Sequence, residues 1–536
     1  LNNDNLNDSD KKYLDILLNR MVHRGPDDFG IKYNNKCVFG MRRLSIIDLN
    51  NGHQPISNEK NDIWVIFNGE IYNYIELRNN LISKGHRFKT QSDTEVIVHL
   101  YEEYGEDFVN YLNGMFAIFI YDSSKKKSFL FRDHMGIKPL FYSEKNNKLF
   151  FSSDLKGLSE VLSSKISDSS IISYLGLSYV PKPDTIYNNI FKLKPGSAIK
   201  IEFNSTPKFY KFWKLEHKPE NNISFFEAKN KLHQLLEESN NIQLRTDTDF
   251  AISLSGGIDS SLVLAYASLN YKDKLNTISM SYDGKSNSND SFYARKMSKL
   301  LNTNHIEINL KRKDFLKNID ELIPLIDEPI SDSALISNYL ISREARKKGI
   351  KVLLSGAGGD ELFGGYHRHF KPSVYSLKRL VFYPKVFRNL SFQALKILNI
   401  DKNNLRLKYP KLSFPTDIHG INYTYLDSIL NPIFKNNLLE NVLGEYSDLT
   451  FKHNYESSRM LNDSKNYLVD NILSLSDKAS MAASVEGRFP LIDYRIAEFA
   501  FSLPKSVILF KNDHKGFLKD VIKPYVPNEI LYRKKE

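Results

Sequence analysis

The sequence is poor in cysteine, with Cys37 alone among 536 residues. A single cysteine excludes an internal disulfide framework and any zinc site built from several cysteines. No run approaches the ~18 apolar residues of a membrane-spanning helix, and no signal-peptide pattern opens the chain. Because nothing here requires an oxidising compartment or a membrane, we expect a globular protein in the cytoplasm.

Long runs of one charge are also absent. The 74 basic and 63 acidic side chains give a net charge of +11, yet no basic run is longer than the one at residues 125–127. Scattered positive charge favours a solvated surface over a nucleic-acid footprint. With 41% hydrophobic and 26% charged residues, the composition excludes wholesale disorder. We therefore expect neither a nucleic-acid nor a membrane partner.

The first half of the chain alternates short strand-like runs with two helical stretches. The runs are rich in aromatic and β-branched residues, and they lie at 37–41, 63–67, 115–121, 129–132 and 149–152. With helical stretches at 74–84 and 94–104 between them, this order predicts an α+β unit with antiparallel sheets. Residues 1–12 are polar and predicted to fray, and the turn-rich region 170–220 is predicted to connect the two halves.

The second half alternates strands with helices. A helical stretch at 224–243 precedes a strand at 250–254, a glycine-rich turn and a helix. Further strands are expected at 277–282, 305–310 and 352–354. Strands that alternate with helices predict a parallel, doubly wound sheet. Residues 371–536 are predicted to be mostly helical.

The turn after the strand at 250–254 predicts a phosphate cradle. It reads Ser-Gly-Gly-Ile-Asp-Ser-Ser over residues 255–261. Two glycines let the backbone approach a phosphate, a helix N-terminus supplies free N–H groups, and three serines add hydroxyl donors. The carboxylate of Asp259 would repel a phosphate unless a cation lies between them. This residue therefore implies Mg²⁺. The segment lacks the Lys-Ser/Thr ending of a Walker A loop, so the cradle is of another type.

A second glycine-rich turn follows the strand at 352–354. It reads Ser-Gly-Ala-Gly-Gly-Asp-Glu over residues 355–361. It would stand at the carboxyl end of a parallel strand, where open α/β sheets bind ligands. Asp360 could complete a magnesium site with Asp259. The sequence thus predicts one ligand crevice built from two loops.

These two loops carry a family resemblance. The first resembles the pyrophosphate loop of the ATP-pyrophosphatase superfamily. Together with residues 477–481, 484–493 and 515–519, the pair resembles the synthetase domain of the glutamine-hydrolysing asparagine synthetase family. The resemblance implies adenylation by ATP, with Lys515 as the cation that neutralises charge when pyrophosphate leaves; the alternative for Lys515 is a solvated surface lysine. The implied ATP-binding residues are Leu254, Ser255, Gly256, Gly257, Asp259, Ser260, Met280, Ser355 and Gly356, and the implied Mg²⁺ ligands are Asp259 and Asp360.

The N-terminal region resembles the class II, N-terminal-nucleophile glutamine amidotransferase domain. The matching motifs lie at 23–27, 43–48, 67–73, 92–95 and 132–140. Glutamine is a zwitterion, so an arginine suits its α-carboxylate and a carboxylate suits its α-ammonium; the family's positions match Arg43 and Asp93. Asn68 and Gly69 match its oxyanion donors, although Asn-Gly is also a common hairpin turn. The implied glutamine-binding residues are Arg43, Leu44, Ser45, Ile46, Ile47, Asn68, Gly69, Glu70 and Asp93.

The resemblances predict two functional units. Residues 1–205 are expected to form an α+β, N-terminal-nucleophile-type antiparallel sandwich. Residues 206–536 are expected to form an α/β, doubly wound, Rossmann-like ATP-pyrophosphatase domain with a mostly helical C-terminal part. We expect both outer ends to be incomplete, because the family's Cys-Gly-Ile opening, whose N-terminal cysteine is the nucleophile, is missing before Leu1. The alternative is a protein that uses free ammonia, because internal Cys37 is expected to pack as a small hydrophobe.

Ala357 is a second departure from the family pattern. Several family members carry an acid at this position, where it is thought to assist the ammonia step, and alanine can neither accept a proton nor pair with a charge. The acceptor therefore stays open between aspartate and another carboxylate, such as a sugar acid.

The leading hypothesis is ATP-dependent synthesis of asparagine from aspartate and glutamine-derived ammonia. An RNA-modifying ATP-pyrophosphatase and a nucleotide-sensing pseudoenzyme are the other classes, and the oligomeric state is open, with a homodimer as one arrangement.

Overall fold

The first half of the chain forms antiparallel sheets. The structure is a computed structural model, and it describes residues 6, 8–34, 36–203, 205–220, 222–282, 289–370 and 455–533. The strands of the first half are β1 (Asp28–Tyr33), β2 (Val38–Arg43), β3 (Ile56–Ser57), β4 (Ile63–Ile71), β5 (Gly114–Asp122), β6 (Lys127–Arg132), β7 (Phe141–Lys145), β8 (Lys148–Ser152), β9 (Phe191–Lys192), β10 (Ser197–Glu202) and β11 (Lys208–Lys211). Its helices are Asp8–Arg20, Tyr74–Ser83, Asp93–Tyr104, Leu155–Leu162 and Asp168–Leu177, with a 3₁₀ helix at Gly105–Tyr111.

The largest sheet has the strand order β11-β10-β6-β5-β4-β3, and both of its faces are covered. Side chains alternate between the two faces of a strand. Along β5, Phe116 and Ile118 pack in a core that includes the helix Asp93–Tyr104. Ala117 and Phe119 pack in a second core that reaches β2 and β8. These two cores confirm the predicted α+β antiparallel sandwich.

The prediction that residues 170–220 are a connection is wrong for most of that region. The end of the helix Asp168–Leu177 and strands β9 to β11 occupy it. Strand β10 pairs antiparallel with both β6 and β11, so this region completes the large sheet. Turn residues such as Pro195 and Gly196 mark hairpins as well as linkers, which explains the error. The predicted boundary after residue 205 falls inside the β10–β11 hairpin and stays a prediction.

The prediction that residues 1–12 fray is wrong from residue 8 onward. The helix Asp8–Arg20 begins there, while residues 1–5 and 7 lie outside the described residues. Leu14, Leu17 and Leu18 are buried, because their spacing brings them to one face of the helix. The Nζ of Lys148 donates to the buried Asp10 at 2.6 Å. The helix is therefore part of the first half's core.

The second half forms a parallel sheet flanked by helices, which confirms the predicted doubly wound class. Its strands are β12 (Phe250–Ser253), β13 (Asn276–Tyr282), β14 (Asn304–Leu310), β15 (Val352–Leu354) and β16 (Glu486–Arg488). Its helices are Phe225–Gln243, Ile258–Asn270, Asn289–Leu300, Arg312–Leu322, Ala334–Lys347, Gly359–Phe363, His367–Phe370, Tyr455–Lys465, Ser474–Ala482, Tyr494–Ser502, Lys505–Ile508, Gly516–Ile522 and Asn528–Leu531. The 3₁₀ helices are Ile323–Leu325, Pro490–Ile492 and Phe510–Asn512, and a π-helix spans Leu468–Leu473.

The strand order positions a ligand crevice. The order is β14-β13-β12-β15-β16, and every pairing is parallel. From β12 the chain continues to β13 and β14 on one side, and then returns to β15 and β16 on the other. The loops that follow β12 and β15 therefore both lie at a topological switch point, where open α/β sheets bind ligands.

The predicted helical C-terminal part is confirmed for residues 455–533. The rest of that prediction, over residues 371–454, lies outside the described residues. No helix of the described ranges is both long and apolar enough to cross a lipid bilayer.

Candidate active sites

The loop after β12 is shaped by its own serines. The Oγ atoms of Ser255 and Ser260 lie 3.0 Å apart, and the backbone N–H of Ser255 donates to the Ser260 Oγ at 3.2 Å. Gly256 has a φ of +70°, and a Cβ there would lie 2.4 Å from the carbonyl oxygen of Asp290. Gly257 then precedes the helix Ile258–Asn270 as its N-cap. The loop thus meets a helix N-terminus whose free N–H groups suit a phosphate.

The loop after β15 closes directly against this helix start. A Cβ on Gly356 would lie 2.5 Å from the backbone nitrogen of Ser260, so only glycine permits the approach. The backbone N–H of Ser355 donates to the carbonyl of Arg488 at 2.9 Å, and that of Ala357 donates to the Ser355 Oγ at 3.4 Å. The two predicted loops therefore form one crevice.

Lys515 lies between the two aspartates of this crevice. Its Nζ is 2.5 Å from the Asp259 Oδ2 and 2.6 Å from the Asp360 Oδ1. Its side chain is buried, so the alternative of a solvated surface lysine is wrong. Burial alone would lower the pKa of Lys515, but the two carboxylates raise it above its ordinary value. Two converging carboxylates also fit Mg²⁺, which prefers oxygen ligands.

The remaining predicted nucleotide residues flank the loop. Leu254 is fully buried immediately before the loop, and its N–H donates to the carbonyl of Ile278 on β13 at 2.8 Å. Met280 is two residues further along β13 and is partly buried. The structure therefore assembles the predicted glycines, serines and acids of both loops, with Leu254 directly after β12 and Met280 on β13 beside them.

A cavity of about 170 Å³ occupies the first half. Of the nine predicted glutamine-binding residues, those that line it are Arg43, Leu44, Ile46, Ile47, Asn68, Gly69, Glu70 and Asp93. Ser45 does not line it. The N–H of Ser45 donates to Asp27 at 2.9 Å, and its carbonyl accepts from Lys351 of the second half at 3.1 Å. Ser45 thus lies at the contact between the halves.

Opposite charges face the cavity. The guanidinium of Arg43 is buried and donates to the carbonyls of Ile47 and Asp48 at 2.7 and 3.0 Å, which fixes the loop after β2. The carboxylate of Asp93 accepts from the N–H of Ile71 at 2.9 Å. Burial raises the pKa of Asp93 to about 6, although this hydrogen bond, Arg43 and Arg488 act in the opposite direction. A zwitterionic amino acid matches this pair of charges.

Asn68 and Gly69 belong to a strand and not to a hairpin turn. Both lie within β4 and face Ala117 and Phe116 of β5, so the alternative of a turn is wrong. The Asn68 Nδ2 donates to the Ser153 Oγ at 3.0 Å. Gly69 has a φ of +147°, and a Cβ there would lie 1.9 Å from the carbonyl oxygen of Met115. A side-chain amide and a glycine backbone therefore stand next to each other on the cavity wall.

The sequence did not predict the residues that line this cavity where it meets the second half. Lys138, Met481 and Glu486 also line it, and Glu486 belongs to β16. The Nζ of Lys138 lies 3.5 Å from the Glu486 carboxylate, and Arg488 of the same strand lies 3.2 Å from Glu70. All of these residues stand in motifs that carry the family resemblance, but only the packing of the halves shows that they meet this cavity.

Cys37 lies outside this cavity's lining. It immediately precedes β2, and its side chain is fully buried in an apolar core with Phe39 and Leu130. Burial raises the pKa of the Cys37 thiol to about 12. The predicted small hydrophobe is confirmed, although the residue stands one position before the strand.

These two sites define a class of protein: a glutamine amidotransferase domain joined to an ATP-dependent synthetase. The family profile described as "Glutamine amidotransferase domain" matches residues 4–213, and the profile described as "Asparagine synthase" matches residues 231–536. The chain therefore belongs to the glutamine-hydrolysing asparagine synthetase family of carbon–nitrogen ligases, which confirms the resemblance. This family uses ATP.

Curated relatives match over nearly the whole chain. Asparagine synthetase [glutamine-hydrolyzing] 1 of Bacillus subtilis (strain 168) is 33% identical over 540 residues, covering 98% of this chain and 84% of the relative. Asparagine synthetase [glutamine-hydrolyzing] 3 of the same organism is 28% identical over 547 residues, with the same coverage of 98% and 84%. A putative asparagine synthetase [glutamine-hydrolyzing] 2 of Methanocaldococcus jannaschii is 34% identical over 388 residues, covering 67% of this chain and 73% of the relative.

Proposed function

We propose that the protein converts aspartate to asparagine at the crevice of the second half. A side-chain carboxylate oxygen of aspartate attacks the α-phosphorus of ATP, and the bond to the β-phosphate oxygen breaks, which releases pyrophosphate. Ammonia then adds to the carbonyl carbon of the acyl-adenylate. The carbon–oxygen bond to AMP breaks, and the nitrogen loses a proton to give the amide. The contact of Lys515 with both Asp259 and Asp360 is the observation that carries this proposal.

The crevice residues act on the phosphates. The loop from Ser255 to Ser260 holds the β- and γ-phosphates by its N–H and hydroxyl groups, which leaves the α-phosphorus open to attack. Lys515 faces the charge that develops on departing pyrophosphate, and a fixed cation aimed at developing charge lowers the barrier. Asp259 and Asp360 would hold Mg²⁺, which supplies further positive charge to the phosphates when bound. Leu254 and Met280 line one side of the site for the adenine ring, and Ser355 and Gly356 line the opposite side.

The cavity of the first half supplies the nitrogen in this proposal. Arg43 binds the α-carboxylate of glutamine and Asp93 binds its α-ammonium. In the family the N-terminal cysteine, which this sequence does not contain, adds to the amide carbon of glutamine, and Asn68 and Gly69 would donate to the oxyanion of the resulting tetrahedral intermediate. Cleavage of the carbon–nitrogen bond then releases ammonia, and water releases glutamate from the cysteine. Ammonia passes toward the second half, and the lining of the cavity by Met481 and Glu486 supports that direction.

Product analysis tests the proposal. A protein that carries the family's N-terminal cysteine, supplied with ATP, Mg²⁺ and aspartate, should give AMP, pyrophosphate and asparagine in equal amounts, in parallel reactions with glutamine and with ammonium. Formation of ADP would reject adenylation. Turnover of that protein with ammonium but not with glutamine would reject the glutamine half of the proposal while leaving the synthetase half standing. Asp360→Asn should abolish pyrophosphate release, whereas Asp520→Asn, which removes a surface carboxylate paired with Lys229, should not.

Ala357 favours a second candidate, the amidation of a different carboxylate. Alanine in the loop after β15 can neither accept a proton nor pair with the aspartate substrate. A panel of carboxylic acids, including sugar acids, scored by pyrophosphate release, separates the two candidates. Strict dependence on aspartate would reject the second one.

The location, partners, assembly and domain boundary of the enzyme are proposals as well. We expect a cytoplasmic enzyme of small molecules that engages neither nucleic acid nor membrane. The oligomeric state is open, with a homodimer as one arrangement, and light scattering of the purified protein tests it. Limited proteolysis tests the domain boundary, with cleavage between β11 and the helix Phe225–Gln243 as the alternative to the boundary after residue 205.

A further inference from the structure

A cluster of histidines and glutamates lies in the first half, apart from the residues assigned to glutamine. Glu59 comes from the turn after β3, His86 from the segment after the helix Tyr74–Ser83, and His99 and Glu102 from the helix Asp93–Tyr104. Ligand atoms of Glu59, His86 and His99 lie within 4.8 Å of one another. Elsewhere among the described residues, no group of three or more metal-ligating side chains meets this condition.

The inner atoms of the cluster converge. The Nδ1 atoms of His86 and His99 are 3.2 Å apart. The Glu102 Oε2 lies 3.1 Å from the His99 Nδ1 and 3.7 Å from the His86 Nδ1, and the Glu59 Oε2 lies 3.9 Å from the His99 Nδ1. Two nitrogens bound to one tetrahedral zinc ion at ~2.0–2.1 Å are ~3.3–3.4 Å apart. The separation of the two imidazoles is therefore close to that of zinc ligands.

Each carboxylate of the cluster is held by its outer oxygen. The Glu59 Oε1 accepts from the backbone N–H of Arg87 at 3.1 Å, and the Glu102 Oε1 accepts from the Asn58 Nδ2 at 2.9 Å. In both residues the Oε2 is the atom that faces the cluster. This division leaves one oxygen of each carboxylate free to ligate while a hydrogen bond fixes the other, as in protein metal sites.

Both histidines turn their Nδ1 atoms inward and their Nε2 atoms outward. The His86 Nε2 is within hydrogen-bond distance of the Glu103 Oε2, at 3.4 Å, whereas the His99 Nε2 lies 3.7 Å from the Glu95 Oε1, beyond hydrogen-bond distance. A carboxylate behind a ligating imidazole orients the ring and fixes which nitrogen carries the proton. The backbone N–H groups of Lys89 and Thr90 hold the Glu95 carboxylate in turn.

We propose that Glu59, His86, His99 and Glu102 bind one zinc ion or a similar divalent first-row transition metal. Imidazole and carboxylate ligands suit these metals. Four protein ligands describe a closed, structural site, and not a catalytic one with an open position. The metal would tie three segments of chain together, including the helix whose first residue is the glutamine-binding Asp93. The site is independent of the proposed reaction, so its failure would leave that proposal untouched.

A metal titration of the untagged full chain tests this site. After treatment with a chelator and its removal, Zn²⁺ is titrated in competition with a chromophoric chelator. We expect one tight site per chain. His86→Gln and Glu59→Gln remove partly exposed ligands and should each weaken zinc binding by at least ~100-fold, the upper end of what even an outer-shell change causes. His53→Gln is the matched control, because His53 is an exposed histidine that also contacts a carboxylate, that of Asp28.

Thermal unfolding supplies a second readout. Zinc that binds only the folded protein must raise its melting temperature, so wild type and His53→Gln should gain stability with zinc while His86→Gln and Glu59→Gln should not. Circular dichroism and glutamine binding check that the variants are folded. The proposal is overturned if wild type binds no more zinc than a variant that combines His86→Gln with Glu59→Gln, if the single ligand variants keep wild-type affinity, or if Mg²⁺ binds the cluster and Zn²⁺ does not.

Discussion

The guanidinium of Arg488 lies 3.2 Å from the carboxylate of Glu70. Arg488 belongs to β16 of the parallel sheet and Glu70 to β4 of the antiparallel sheet, directly after the predicted oxyanion residue Gly69. Arg488 also donates to Glu486 at 2.9 Å, and its side chain is fully buried. The two halves are thus joined by a buried charge network at the wall of the proposed glutamine cavity.

Loss of Arg488 should destabilise the protein strongly. Arg488→Met leaves the buried Glu70 without its arginine partner and leaves Glu486 with Lys138 alone. Burial raises the pKa of Glu70 well above its ordinary value even with the arginine present, which shows how unfavourable this environment is for an unpaired carboxylate. Breaking a buried pair by removing one partner costs about 3–5 kcal/mol. We expect a loss of this size in the free energy of unfolding, measured by urea denaturation.

Arg295→Met is the control for this experiment. Arg295 is partly exposed and pairs with Glu307 at 2.8 Å, and exposed pairs of this kind contribute about 0–1 kcal/mol. The interpretation of Arg488 as a structural junction fails if both variants lose the same small amount.

Glutamine affinity should fall as the pH drops below about 6. Burial raises the pKa of Asp93 to about 6, so below this pH the carboxyl becomes neutral and no longer pairs with the α-ammonium. If only the ionised form binds, the apparent Kd rises in proportion to the loss of that form. Calorimetric titration with glutamine between pH 5 and 8 measures this change.

Two variants sharpen the pH experiment. Asp93→Asn should bind glutamine weakly at every pH and remove the dependence. Asp107→Asn, which changes an exposed carboxylate of the same half, should retain the wild-type profile. A wild-type affinity that stays constant from pH 8 to pH 5 would contradict a charged Asp93 in the site.

The sequence predicts local chemistry well and distant contacts poorly. The first part of strand β4 follows from the run of aromatic and β-branched residues at 63–67. Its continuation to Ile71 could not be predicted, because Asn68 and Gly69 look like a turn until the pairing with β5 is known. The loops after β12 and β15 are recognisable because glycine, serine and aspartate must stand next to one another for phosphate chemistry. Local patterns of this kind are written in consecutive residues.

Contacts between segments far apart in the chain could not be predicted from the sequence. Nothing in the sequence around Glu70 indicates that it meets Arg488, and nothing near Glu59 indicates that it meets His86 and His99. Such meetings depend on how whole sheets and helices pack, which single-residue preferences do not encode. Turn signals near Gly196 fail for the related reason that hairpins and linkers use the same residues.

Lys515→Met should slow pyrophosphate release by about 10²–10³-fold, as expected when a preorganised charge-stabilising group is removed. The Nζ of Lys515 contacts both Asp259 and Asp360, so the variant also leaves these carboxylates facing each other. Lys515 directly precedes the helix Gly516–Ile522, and Lys523 directly follows it. Lys523→Met removes an exposed lysine and should keep full activity. Equal rates for the two variants would exclude Lys515 from the chemical step. The assay is aspartate-dependent pyrophosphate release from ATP.

Gly365→Ala should reduce synthetase activity although residue 365 carries no chemistry. A Cβ there would lie 1.7 Å from the Asp360 Oδ1 and 2.4 Å from the Lys515 Cε, so both side chains must move. Gly349→Ala is a suitable control, because Gly349 has a φ of +82° and nothing within 4 Å of an added Cβ. The control should lose about 1–2 kcal/mol of stability from the left-handed backbone and no activity. Pyrophosphate release and thermal unfolding, measured on both variants, separate the two effects, and full activity of Gly365→Ala would show that the contact relaxes.

Cys37 should be unreactive in the folded protein. Its side chain is fully buried, and burial raises the pKa of its thiol to about 12, whereas the thiolate is the reactive form. A thiol reagent such as dithionitrobenzoate should therefore label no cysteine of the native chain at pH 8 and one per chain in urea, since the chain contains a single cysteine. Cys37→Ala should then lose stability by the removal of a small buried group and keep both pyrophosphate release and glutamine binding. Rapid labelling of the native protein, or loss of glutamine binding in Cys37→Ala without unfolding, would contradict a purely structural role, because an inert buried thiol can do neither.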